Sequence, residues 1–83
     1  MQGLRVYESS GLLNPGEYKK MDDGSLYFCA PNGLHGQIGE TWQITEHSDG
    51  TITVMPSILI SNRTPSEPLS WHGFLEKGVW REC

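Results

Sequence analysis

The sequence is poor in helical patterning, in long apolar runs and in clustered basic residues. No stretch repeats apolar side chains at the i, i+3, i+4, i+7 spacing of an amphipathic helix, and Gly and Pro interrupt the chain at short intervals. No apolar run approaches the roughly 18 residues that a membrane-spanning helix requires. These absences argue against a helical fold and against a membrane protein.

Charge and targeting signals are also sparse. The formal net charge is -4 and only Lys19 and Lys20 adjoin one another, which argues against DNA binding because phosphate contacts need clustered cations. The opening segment, MQGLRVYESS, has neither the basic start nor the apolar stretch of a signal peptide. We therefore expect a cytoplasmic protein, in which Cys29 and Cys83 remain thiols rather than a disulfide.

The chain is comparatively rich in large aromatic side chains. Its hydrophobic content is only 36%, but it holds three Trp, three Tyr and two Phe. A chain of 83 residues forms a single domain, residues 1–83, and buries about 60–65% of the surface that its unfolded form exposes. A deep active site is hard to build at this size, so we expect a shallow recognition surface or a homo-oligomer interface.

Turn residues separate short apolar segments along the whole chain, which is typical of antiparallel β structure. The pattern predicts an all-β domain, either a small antiparallel sheet or a partly open barrel of hairpins, with little or no helix. Early strands are predicted at residues 4–7, 17–21 and 26–30. The segment LHGQIGE, residues 34–40, is interpreted as a glycine-rich loop.

The clearest unit is the hairpin TWQITEHSDGTITVMPSILI, residues 41–60. A two-residue turn would leave both faces of this hairpin half apolar. A loop of Ser48, Asp49 and Gly50, with the glycine in the left-handed conformation of a G1 bulge, segregates the side chains. The apolar face then carries Trp42, Ile44, Ile52 and Val54. Pro56 cannot donate a ladder hydrogen bond, so it marks a bulge or an edge position.

The segment SWHGFLEKGVWREC, residues 70–83, forms a second hairpin with two possible registers. A two-residue turn of Lys77 and Gly78 sets His72 directly opposite Cys83. A three-residue loop, residues 76–78, separates these two side chains and segregates the aliphatic residues. We predict the three-residue loop, because lysine is a poor residue for the positive φ that a two-residue turn demands.

The predicted register gives the second hairpin an aromatic face. Leu69, Trp71, Leu75, Val79 and Cys83 share one side, and His72, Phe74, Trp80 and Glu82 share the other. An outward aromatic patch marks a recognition surface or an interface between copies. The candidate binding residues are His72, Phe74, Trp80, Glu82 and His35.

Two kinds of chemistry stay open as alternatives. Cys29, His35, His72 and Cys83 are the residue types of a tetrahedral zinc site, although no Cys-x-x-Cys or His-x-x-x-His pair anchors either half. An enzyme could use His72 or His35 as a general base, but no serine-hydrolase signature or phosphate loop supports catalysis. No cofactor is predicted.

From Trp42 onward, about half of the chain resembles a family of small uncharacterised proteins of tailed phages and prophages. The family pattern is a Trp-x-Ile strand, a threonine-rich Pro-Ser-Ile strand, a histidine, an apolar pair, and glycine with an apolar residue. The matching positions are Trp42, Ile44, Thr51, Thr53, Pro56, Ser57, Ile58, His72, Phe74, Leu75, Gly78 and Val79.

The resemblance implies a phage-type origin, a β-rich fold and no established activity. A related larger group carries a Cys-x-Cys and a later cysteine three residues before the histidine, which looks like a zinc site. Here Ala30 and Pro31 follow Cys29, and Leu69 stands at the later position, so inherited zinc is doubtful. We expect a non-enzymatic accessory protein in the host cytoplasm that binds or inhibits a host protein or a small nucleotide signal.

Overall fold

The computed structural model describes residues 1–8, 11–39, 41–62, 64–66 and 68–83. The strands are β1 (Leu4–Arg5), β2 (Glu17–Lys20), β3 (Leu26–Cys29), β4 (His35–Ile38), β5 (Gln43–Glu46), β6 (Ile52–Ser61), β7 (Ser70–Glu76) and β8 (Val79–Glu82). The described residues contain no helix, and hence none that could cross a membrane. The all-β prediction is confirmed.

The strands form two open four-stranded sheets. Sheet 1 has the order β1-β2-β3-β4 and sheet 2 the order β5-β6-β7-β8. Every neighbouring pair is antiparallel except β1 and β2, which are parallel. The first residues also reach sheet 2, since Trp80 donates its N–H to the Met1 carbonyl at 2.8 Å and Gly3 donates to Gly78 at 2.7 Å. The opening segment therefore contacts both sheets.

The core lies between the two sheets and is rich in aromatic residues. Its buried members are Tyr18, Leu26, Phe28, Ala30, Leu34 and Ile38 from the first half of the chain, and Ile52, Val54, Ile58, Trp71, Leu75 and Trp80 from the second. Large side chains let a chain of this length fill the space between two sheets with few residues. Each sheet therefore has an inner, apolar face and an outer face.

The first hairpin has the predicted register. Ile44 pairs with Val54, and His47 donates its N–H to the Thr51 carbonyl at 2.8 Å across a three-residue loop. Gly50 ends this loop at φ 89°. Because one face holds the apolar side chains, a slip of one residue would expose all of them to solvent.

Pro56 marks a bulge, as predicted. The register between β6 and β7 shifts between Val54 and Ile58, and the Met55–Pro56 peptide is cis. Beyond the bulge β6 continues to Ser61. The bulge allows β6 to follow both β5 and β7 although proline cannot join the ladder.

The predicted register of the terminal hairpin is wrong. Glu76 pairs with Val79 across a two-residue turn in which Lys77 has φ 46° and Gly78 has φ 77°. The turn is held against β6, because the Lys77 N–H donates to Thr53 Oγ1 at 2.9 Å and the Gly78 N–H donates to the Ile52 carbonyl at 3.0 Å. These tertiary contacts stabilise a lysine conformation that is unfavourable by itself.

The glycine-rich segment after residue 33 is a strand, β4, rather than a loop. Leu34 and Ile38 are buried, and Gly36 between them has the same inward orientation. A Cβ atom on Gly36 would lie 2.9 Å from Phe28 Cζ and 2.9 Å from Ile60 Cδ1. Glycine is therefore needed here for close packing rather than for flexibility. Glu40, the last residue of the predicted loop, lies outside the described residues.

Candidate functional site

The terminal hairpin decides where most of the predicted binding residues lie. Trp80 is only 2% exposed and its Nε1 donates to the Gly16 carbonyl at 2.9 Å inside the core. Glu82 pairs with Gly73 and follows the same side of β8 as Trp80. The predicted patch of His72, Phe74, Trp80 and Glu82 is therefore wrong, because the observed register turns the last two away from the first two.

The outer face of sheet 2 has a different composition. We define it by the side chains that point away from the core, which include Met55, Leu59, His72, Phe74, Val79 and Cys83 together with the ion pair of Glu76 and Arg81. Leu59 is 61% exposed and lies directly opposite His72 across the β6–β7 pair. Arg81 covers the Phe74 ring, with 4.8 Å between its Cζ and the ring centroid. The face is thus partly apolar and carries a thiol and an imidazole.

The thiol and imidazole are neighbours. Cys83 donates its N–H to the His72 carbonyl at 3.0 Å, and its Sγ lies 3.8 Å from His72 Nε2. Ser57 Oγ lies 3.1 Å from the same nitrogen. The two-residue turn that the sequence offered as an alternative is what creates this cluster. The structure places Cys29 in a buried position and Cys83 in an exposed one.

A zinc site made from all four predicted ligands of one chain is contradicted by the fold. Cys29 pairs with His35 on the outer side of sheet 1, whereas His72 and Cys83 lie on the outer face of sheet 2. The two pairs are on opposite sides of the core. In the described part of the chain, no three His, Cys, Asp or Glu side chains are grouped closely enough to hold a metal.

His35 lies in a shallow cleft of about 470 Å³ on the outer side of sheet 1. The cleft separates β3 and β4 from the connection between β6 and β7. Its lining residues are Leu12, Tyr27, Gly33, His35, Gly36, Gln37, Thr64, Ser66 and Pro68. The volume falls within the range of roughly 300–1,000 Å³ that is usual for ligand pockets.

Two aromatic rings and an ordered amide form one wall of this cleft. The ring of His35 stacks on that of Tyr27, with centroids 6.2 Å apart and planes inclined by 22°. His35 Nε2 donates to the Leu13 carbonyl at 2.9 Å, which fixes the ring. Gln37 Nε2 donates to Ser25 Oγ at 3.0 Å. These contacts hold the His35 ring and the Gln37 amide in one orientation.

The same network continues to an acidic residue outside the cleft. Ser25 donates both its Oγ–H and its N–H to Asp23 Oδ1, at 2.6 and 2.9 Å. These hydrogen bonds lower the pKa of Asp23 from its ordinary value. Among the lining residues that the structure describes, none is Asp, Glu, Lys or Arg. The described lining of the cleft is therefore polar or apolar and uncharged.

The backbone of β4 adds an open edge beside the cleft. β4 is the last strand of sheet 1, and the Ala30 N–H donates to the Leu34 carbonyl at 2.8 Å. Antiparallel ladders alternate, so Leu34, Gly36 and Ile38 direct their backbone groups toward β3. The N–H and C=O of Gln37 point away from β3, toward the outer edge. β4 therefore presents the backbone groups of Gln37 at the outer edge of sheet 1.

Sequence reasoning missed Tyr27 and Gln37 because it treated β4 as a loop. A period-two signal was present, since the apolar Leu34 and Ile38 alternate with the polar His35 and Gln37. Gly36 and Gly39 favoured a loop prediction for this segment in spite of that alternation.

The arrangement supplies a binding cleft, an open strand edge and a thiol–imidazole pair. No protein-family model, curated protein or solved structure matches the chain. The resemblance to phage proteins therefore stays a prediction, and the function has to be inferred from the two outer surfaces.

Proposed function

We propose that this chain is a non-enzymatic accessory binding protein of phage or prophage type that inhibits a component of the host cytoplasm. The observation that carries the proposal is the outer edge of β4 beside a cleft whose described lining residues are uncharged. Small rigid domains commonly recognise an extended segment by adding it to a sheet edge while a neighbouring pocket receives one of its side chains.

Electrostatics favour a host protein over a nucleotide signal as that component. A nucleotide phosphate requires cations or convergent donors, whereas the described lining of the cleft has neither Lys nor Arg. The formal net charge of -4 also disfavours a polyanionic ligand. An uncharged side chain from a protein segment needs no cation in the cleft and is not repelled by the net negative charge.

The bound segment would make two kinds of contact. Its backbone would exchange hydrogen bonds with the N–H and C=O of Gln37, each worth about 0.5–1.5 kcal/mol net. One of its side chains would enter the cleft and contact the stacked rings of Tyr27 and His35. Because the His35 ring is already held by its hydrogen bond to the Leu13 carbonyl, it would lose little conformational entropy on binding.

Binding is favoured over catalysis by the position of the exposed thiol–imidazole pair, Cys83 and His72. Cys83 and His72 lie on the exposed outer face of sheet 2, on the other side of the core from the cleft. A nucleophile and base need a cleft that positions substrate and excludes water.

The proposal is tested by Gln37→Pro, which deletes the edge N–H and leaves the β3 ladder intact because that N–H points away from β3. Tagged wild-type protein is incubated with lysate of the bacterial host, and the proteins recovered are quantified by mass spectrometry. We expect a specific host protein whose affinity for the purified variant falls by up to about tenfold, as the loss of one backbone hydrogen bond predicts.

The matched control is Gln37→Ala, which loses the same side chain and its bond to Ser25 but keeps the backbone N–H. It should retain most of the affinity, and both variants should melt cooperatively. Equal recovery of the host protein by the proline and alanine variants would contradict strand addition. Recovery of a nucleotide in place of a protein would contradict the partner class.

A further inference from the structure

His72 and Cys83 form a preorganised pair of metal ligands on the outer face of sheet 2. They lie directly across from each other on β7 and the end of β8, and a backbone hydrogen bond of 3.0 Å fixes their spacing. His72 Nε2 and Cys83 Sγ are 3.8 Å apart, and both groups are exposed. Imidazole nitrogen and thiolate sulfur are the ligands that zinc prefers in structural sites.

The separation of the two atoms fits a tetrahedral zinc ion. With a Zn–S bond near 2.3 Å and a Zn–N bond near 2.0–2.1 Å, two ligands at the tetrahedral angle lie about 3.6 Å apart. The observed 3.8 Å is therefore close to one edge of the coordination tetrahedron. The Ser57 hydroxyl lies 3.1 Å from His72 Nε2, so zinc binding would replace this exposed contact.

Two ligands fill only half of a structural zinc site. Within the described residues no third His, Cys, Asp or Glu joins this pair. A two-fold axis beside the pair would bring the same two residues from a second copy and complete a Cys2His2 set. We propose that His72 and Cys83 are a zinc half-site, and that zinc joins two copies of this chain through the outer faces of their second sheets.

The surroundings of the pair fit a second copy. Leu59 lies opposite His72 and is 61% exposed, and Met55 is 58% exposed on the same strand. In a symmetric contact the same side chains meet from both copies, so apolar residues beside the metal would bury one another. This surface lies on the other side of the core from the β4 cleft and leaves that cleft open.

The experiment measures the mass of the reduced full chain in solution with and without zinc. Sedimentation velocity in the presence of a phosphine reductant should show the 9.3 kDa monomer doubling in mass when zinc chloride is added. Native mass spectrometry should find one zinc per two chains. Cobalt added in place of zinc should give the sulfur-to-metal charge-transfer band of thiolate ligation.

Three variants test the site. His72→Ala and Cys83→Ser each remove one ligand from an exposed position, and both should abolish the zinc-dependent doubling. Leu59→Lys keeps both ligands but places a cation at the contact of the two copies, and it should also stay monomeric. His47→Ala is the control, because this histidine lies on the β5–β6 hairpin and contacts Thr53, and it should dimerise as the wild type does.

An unchanged mass on zinc addition would overturn the proposal, and so would dimerisation that persists in Cys83→Ser. One zinc per single chain would also overturn it, since the second copy would then be unnecessary. Gln37→Pro should dimerise with zinc as the wild type does, because Gln37 is not part of the zinc half-site. The two proposals can therefore fail independently of each other.

Discussion

Trp80 occupies the centre of the aromatic core. Its ring meets Trp71 edge-on at a centroid distance of 5.4 Å, lies 5.4 Å from Phe28, and meets Tyr18 at 6.4 Å. Its indole N–H donates to the Gly16 carbonyl at 2.9 Å. Phe28, Tyr18 and Gly16 belong to the first half of the chain and Trp71 to the second, so this one side chain joins the two sheets.

Trp80→Phe should destabilise the fold by about 1–3 kcal/mol, because the Gly16 carbonyl loses its donor inside the core and part of the ring volume is lost. The measurement is urea unfolding followed by circular dichroism. The control is Phe74→Leu on the outer face of sheet 2, expected to change stability by about 0.5 kcal/mol or less. Equal effects of the two substitutions would contradict the observed register of β8.

The two hairpins differ in the origin of their registers. In the first, apolar side chains on one face select the three-residue loop, and Asp49 caps it by accepting hydrogen bonds from the N–H and hydroxyl of Thr51 at 3.0 and 2.6 Å. These bonds lower the pKa of Asp49. In the terminal hairpin Lys77 takes a left-handed conformation, φ 46°, which the sequence disfavours. Hydrogen bonds from the backbone N–H groups of Lys77 and Gly78 to β6 compensate for the cost of this conformation.

Lys77→Asn should therefore stabilise the protein, by about 0.5–1 kcal/mol, because asparagine tolerates the left-handed conformation and Asn-Gly is a preferred pair for this turn. The Lys77 N–H that contacts Thr53 is a backbone group and is retained. The midpoint of urea unfolding should rise. Lys77→Ala is the matched control and should give no such rise, because alanine tolerates this conformation no better than lysine. A rise of the same size in both variants would show that the lysine side chain, rather than its φ, was unfavourable.

At the scale of the whole molecule, an ion cluster ties the two sheets together at the edge formed by β1 and β2. Arg5 Nη1 donates to Glu46 Oε2 at 3.1 Å and to the Gly50 carbonyl at 2.9 Å, and Lys20 Nζ donates to Glu46 Oε1 at 3.0 Å. The hydrogen bond from Lys20 and the one from Arg5 lower the pKa of Glu46 below its ordinary value of 4.5. The cluster links the strand bearing Glu46 to the opposite sheet.

The depressed pKa of Glu46 makes the stability of the wild type dependent on pH. A carboxylate with a lower pKa in the folded state stabilises the fold above its unfolded pKa, and this contribution is lost as pH falls through the folded value. Glu46→Gln should be less stable than the wild type at neutral pH, and the difference should shrink below pH 4.5. Urea unfolding of both proteins across this range is the measurement. Added salt should also reduce the difference, because the cluster is partly exposed. A difference independent of pH would show that the ion pairs contribute nothing.

The sequence by itself determined the all-β class and the register of the first hairpin. Period-two alternation around residues 42–46 and 51–54 puts the apolar residues on one face, and no other register does so. Proline at the β6 bulge and the separate thiols also followed from local chemistry and composition. In each case a single strand or hairpin contained enough information to exclude the alternatives.

Only the tertiary structure decided the terminal hairpin, the strand β4 and the placement of the candidate sites. Local patterning and turn chemistry favoured the three-residue loop of the terminal hairpin, but either register buries Leu75, and the packing of Trp80 selected the two-residue turn. Burying an aromatic side chain of about 150–250 Å² yields on the order of 4–6 kcal/mol, which exceeds the roughly 1–2 kcal/mol that a left-handed lysine costs. The opposite sheet supplied the pocket for Trp80 and the acceptor for its indole N–H, and it turned His72 toward Cys83 on the outer face. In the same way, the sequence pattern around Gly36 predicts a loop. The close packing of Phe28 and Ile60 against this glycine, which explains why it lies in a strand, is visible only in the tertiary structure. The register of the terminal hairpin, the strand β4 and the placement of the candidate sites all depend on contacts between residues far apart in the chain, so a local sequence pattern cannot predict them.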